Sequence, residues 1–157
     1  MMLKTGVWLL SIWCVINAAL ALTILGYVMV LGQRSPMLQV AGYTPAEVAG
    51  LSTRTLGALN AFTLLYNSCS LAVSFLTWPL IRRGLVAGDR RAFWMLIGVI
   101  GFIEVMAFWA SAYVGHGRWQ VNVLQSLLYL VGMGLCAVPI LGPQSRERAI
   151  SRAGGMR

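Results

Sequence analysis

The sequence predicts an all-α integral membrane protein: a bundle of four transmembrane helices with both termini in the cytoplasm. Three observations carry this. Hydrophobic residues make up 59% of the 157 positions and only 10% are charged, with a mean hydropathy of +0.77; soluble domains carry roughly a quarter charged residues. Residues 5–33, 55–81 and 119–145 contain no Asp, Glu, Lys or Arg, and residues 92–117 contain one, Glu104. Finally, in a four-span arrangement nine basic side chains fall on the side of Lys4 and three (Arg34, Arg54, Arg118) on the other. Excess Lys and Arg marks the cytoplasmic side, which places both termini there and suggests a plasma (inner) membrane. The pI near 10.3 does not indicate nucleic acid, because the basic residues flank apolar runs and form no continuous face.

About 20 helical residues cross a hydrocarbon core of roughly 30 Å, so the spans are read as residues 6–32, 56–81, 92–115 and 119–142 of a single membrane domain. The first, with Lys4 before it, is longer than the apolar segment of a signal peptide and is expected to be retained. An outer loop, 33–54, contains a short helix at 45–50. Thr44 is its N-cap, Pro45 its first residue and Glu47 the third, a capping-box spacing; Ser52 caps the next span. The short basic loop 82–91 turns at Gly84 and Gly88. A basic tail, 143–157, suits the anionic leaflet. Trp8, Trp13, Trp78, Phe93, Trp94 and Trp119 fall near span ends, where amphipathic rings favour the headgroup level. Trp109 and Phe108 lie deeper.

Polar residues inside spans mark the faces that avoid lipid. In the second span Asn60, Thr63, Asn67, Ser70, Ser74 and Thr77 recur at steps of three and four, one face of a helix. Asn122, Gln125, Tyr129, Gly132 and Cys136 do the same in the fourth. In the third, Glu104 shares a face with Gly101, Ala107 and Ser111. Asn17, Asn67 and Glu104 each lie roughly 18 Å into their runs, near the bilayer midplane, which predicts one central polar layer with Tyr129 slightly to its outer side. Ser and Thr are accounted for by helix packing. Glu104 is not, since a charge at the bilayer centre costs about 2.5–3.5 kcal/mol. With no Lys or Arg within any span, the neutral acid is its expected resting form.

A buried acid of this kind suits proton transfer. The first expectation is an intramembrane isomerase or cyclase acting on a lipophilic small molecule, with Glu104, Asn67 and Tyr129 as catalytic residues. Asn17, Asn60, Tyr66, Phe108, Trp109 and Gln125 would bind substrate, the aromatic faces stabilising developing positive charge. A non-catalytic accessory or anchor subunit of a larger membrane complex is the alternative, and a small proton-coupled exporter the second alternative. The expected partners are membrane lipid, the lipophilic molecule and a homo-oligomer or larger complex. His116 reads as a surface residue. Cys14, Cys69 and Cys136 have no zinc or redox spacing, so neither metal nor cofactor is expected.

Overall fold

A computed structural model describes residues 1–31, 38, 42–114 and 119–142. Helices α1 (Met2–Leu31), α2 (Pro45–Ala49), α3 (Thr53–Pro79), α4 (Arg90–Val114) and α5 (Trp119–Leu141) follow in order, and α3 runs on into a π-helical turn, Leu80–Leu85. No strand occurs among the described residues. Four segments are long and apolar enough to cross a membrane: Met2–Val30, Thr53–Leu85, Arg90–Ala110 and Asn122–Leu141.

Local chemistry sets the helix ends. At α2 the Glu47 N–H donates to Thr44 Oγ1 at 3.3 Å and the Thr44 N–H to Glu47 Oε2 at 2.7 Å, a reciprocal capping box. Ser52 Oγ accepts the Thr55 N–H at 3.1 Å and starts α3. The second long helix continues past residue 81 because Pro79 lacks an N–H and the wider π turn follows directly. α4 begins at Arg90, two residues before the predicted span: the Asp89 carboxylate accepts the Arg91 N–H at 2.8 Å and its carbonyl accepts that of Phe93 at 3.1 Å.

Of the two predicted turn glycines, only Gly88 has a left-handed backbone, φ 74°. Gly84 lies inside the π turn, where a Cβ would stand 2.5 Å from the Ala92 Cβ, so its hydrogen permits the hairpin to close. Arg90 closes the far side: Nε donates to the Ile140 carbonyl at 3.2 Å and Nη2 to that of Leu141 at 3.4 Å. A cation at those carbonyls also complements the negative end of the α5 dipole.

α1 packs against both α3 and α5, while α4 packs against α5 and the π turn. The bodies of α3 and α4 make no comparable approach to each other, so they are held together chiefly through the π turn. The apolar core fills the half of the bundle that contains this turn: Val7, Leu10, Ile81, Leu85, Phe93, Leu96, Met133 and Ile140 are all buried. It extends to Trp13, Ile100 and Tyr129.

A buried carboxyl clasp and candidate functional site

Glu104 sits where that core ends. The residue is 8% exposed. Oε1 accepts the Trp13 indole N–H at 2.8 Å, and Oε2 accepts the Ser126 hydroxyl. Glu104, Trp13 and Ser126 lie about 21, 17 and 22 Å along their helices from the shared Arg90/Met2/Leu141 end, at 1.5 Å per residue. One side group thus joins α1, α4 and α5 at a single depth. The α1 and α4 backbones do not approach closely, and the long indole of Trp13, 1% exposed, spans the interval.

The two contacts differ chemically. An indole N–H only donates, so Oε1 is an acceptor in every state; a serine hydroxyl both donates and accepts. A proton on Oε2 can therefore be met by Ser126 Oγ as acceptor, and its loss by the same hydroxyl as donor. The clasp accommodates either protonation state by rotation of one hydroxyl. No cation partners the carboxyl among the described residues.

The predicted polar layer divides into two clusters. Asn17 is not at Glu104: its Nδ2 donates to the Ser70 carbonyl at 3.3 Å and Ser74 Oγ at 2.8 Å, and its Oδ1 accepts from Ser70 Oγ at 3.1 Å. These bonds tie α1 to α3. Replacing Asn17 with Leu is expected to lower stability by about 0.6–2 kcal/mol, the range for interhelical polar bonds between membrane helices. Thermal unfolding in detergent measures this. The carboxyl infrared band of Glu104 is expected to stay unchanged, since Asn17 bonds only to α3.

Tyr129 is buried, but on the Arg90 side of Glu104 and not the outer side. Its hydroxyl donates to the Ile97 carbonyl at 3.4 Å and stands 3.0 Å from where a Gly101 Cβ would be. Tyr66 is exposed on α3. Asn67 is 2% exposed, and its Nδ2 donates to the Thr63 carbonyl of its own helix at 2.8 Å, not to Glu104. Asn60 and Gln125 are half-buried. Phe108 is 39% and Trp109 62% exposed, on the bundle's outer surface. His116 lies outside the described residues. On α3 the Thr63, Ser74 and Thr77 hydroxyls donate to carbonyls four residues back, a helix-packing role.

Sequence reasoning missed Trp13 and Ser126. Gln125 and Ser126 both satisfy the three- and four-residue steps between Asn122 and Tyr129, and the structure buries Ser126. Trp13 was assigned to the interface by residue type. Its depth carried the missing signal: a buried donor-only ring needs an acceptor, and Glu104 lies at the same level.

Among the described residues, no group of three His, Cys, Asp or Glu side chains gathers to hold a metal ion. Comparison with protein-family models, curated proteins and solved structures finds no match to this chain.

Proposed function

We propose that this is a small polytopic membrane protein, with both termini cytoplasmic, that uses Glu104 as an intramembrane acid toward a lipophilic small molecule, in an isomerase- or cyclase-type reaction. The observation that carries the reading is the clasp at the edge of the core. A carboxyl held at both oxygens is fixed in orientation, and Ser126 accommodates gain or loss of its proton. The separation of α3 from α4 beyond the π turn supports lateral entry to the bundle. Tyr129, buried one turn beyond Ser126 on α5, and Tyr66 and Asn67 of α3 are the further polar groups we assign to this site. Asn17, Phe108 and Trp109 are not part of this proposal, because they bond or face elsewhere.

Glu104→Gln tests it. The amide oxygen accepts from Trp13 and the NH2 donates to Ser126, so the clasp persists without a titratable proton. Proteoliposomes incubated with a total membrane-lipid extract are expected to convert at least one component to a product of equal mass and altered chromatographic retention. The Gln variant is expected to lose this by at least 100-fold, the lower range of general acid catalysis, with thermal stability within about 1 kcal/mol of wild type. Turnover preserved in that variant ends the acid reading.

One observation favours the accessory-subunit alternative: with both oxygens of Glu104 already bonded inside the chain, the clasp is complete as a structural tie. Under that reading no lipid component is converted by the wild type, and a partner chain co-purifies. The exporter alternative has no observation of its own in its favour.

A further inference from the structure

On the opposite side of α1 from the clasp, α1 and α3 leave a groove of about 220 Å³ lined by Cys14, Val15, Ala18, Ser74, Phe75 and Trp78. The polar side-chain atoms of Cys14 and Ser74 are already engaged. Cys14 Sγ donates to the Ser74 carbonyl at 3.1 Å, and Ser74 Oγ donates to the Ser70 carbonyl while accepting from Asn17. What the groove offers a ligand is therefore hydrocarbon surface, with the exposed Phe75 ring as one wall. Apart from the Trp78 indole N–H at its end, the lining offers a polar group no donor.

The groove ends at Trp78, and the Arg82 guanidinium stands 5.8 Å from the centre of that ring. A cation–π contact holds the arginine one turn, about 6 Å, beyond the groove. On α1 the residues Val15, Ser11, Trp8 and Lys4 follow one face at steps of four, three and four. This face leads from the groove to a second cation at the same end of the bundle. An apolar slot that leads past an aromatic ring to a cation matches a molecule with a hydrocarbon tail and an anionic head.

We infer that this α1–α3 groove is a binding site for one anionic phospholipid, with part of an acyl chain along Phe75, Val15 and Ala18 and the phosphate at Arg82. The site rests on the membrane reading above but not on the acid role of Glu104. The arginine supplies head-group preference, and the groove supplies affinity for the chain whatever the head group.

The test uses the full-length chain released from detergent micelles into a native mass spectrometer, with phosphatidylglycerol or phosphatidylcholine of identical acyl chains. Phosphatidylglycerol is expected to be retained about five-fold more, the weight of one arginine at an anionic surface. Arg82→Gln should bring it down to the phosphatidylcholine level, whereas Phe75→Ala should lower retention of both lipids. Both side chains are exposed, so neither change disturbs the core. Inorganic phosphate in excess should displace neither lipid. Equal retention of the two lipids, an unchanged Arg82→Gln, or displacement by inorganic phosphate alone would each overturn the site. Glu104→Gln is expected to leave retention intact, so failure of the acid reading leaves this inference standing. A chain washed from membranes by alkaline carbonate would overturn the membrane reading beneath both.

Discussion

Trp13→Ala is expected to destabilise the bundle by about 3–5 kcal/mol, the range for removing a large buried aromatic. The indole is almost wholly enclosed and is the group from α1 that bonds to Glu104 across to α4. Its loss empties the interval between two helices whose backbones do not touch closely, and leaves Oε1 of Glu104 without its donor. Trp13→Phe separates these contributions. It keeps an aromatic ring in the core but loses the N–H and part of the ring volume, so it is expected to cost less than Ala and at least about 1–3 kcal/mol, the penalty for an unsatisfied buried acceptor. Thermal unfolding in one detergent measures both. A shift of the Glu104 carboxyl infrared band in the Phe variant reports the lost hydrogen bond independently of stability. If Trp13→Phe costs nothing and moves no band, the indole–carboxyl bond has no part in holding the clasp.

The second large effect lies at the α1–α5 seam. A Cβ on Gly6 would stand 2.6 Å from Cys136 Sγ and 2.7 Å from the Gly132 carbonyl oxygen, and one on Gly132 would stand 2.8 Å from Leu10 Cγ. The obstruction at Gly6 is partly backbone, which cannot turn aside, so α1 and α5 must separate. Gly6→Ala is expected to cost about 1–3 kcal/mol and Gly6→Val to exceed it, as overpacking does in tight interiors. Gly98→Ala and Gly134→Ala are the controls. Nothing lies within 4 Å of either added methyl, so each is expected to be neutral or to stabilise by up to about 1 kcal/mol through helix propensity. Melting temperatures of the four variants check the contrast. Equal effects of alanine at all three positions would mean that close packing at Gly6 does not limit the approach of α1 to α5.

Much of the architecture was legible along the chain. Long uncharged runs can satisfy their backbone groups in an apolar setting only as helices, which is why composition and run length point to four of them. The Thr44–Glu47 spacing was equally readable, since capping is settled within one turn. Less legible was the start of α4. Asp89 is a helix-capping residue type, but it falls inside the basic loop 82–91, where the turn glycines give the stronger signal. The π turn after Pro79 had no sequence signature beyond the proline itself.

The candidate site was legible only in part. Glu104 could be found because an acid in an apolar run is costly, and that cost is a property of the residue and its depth alone. Its partners depend on how the helices rotate about their axes. A rotation of 100° exchanges Gln125 for Ser126 on the inward face, and periodicity from Asn122 to Tyr129 allows both. Likewise Asn17 and Glu104 share a depth but not a seam: α1 turns Asn17 toward α3 and Trp13 toward α4 and α5. Helical class, the number of long apolar helices and the presence of a buried acid follow from solvation energies that each segment carries by itself. Which donors hold that acid, and which polar residues merely join α1 to α3, follow from close packing at Gly6, Gly84 and Gly132, which fixes the helix rotations only once all the segments are together.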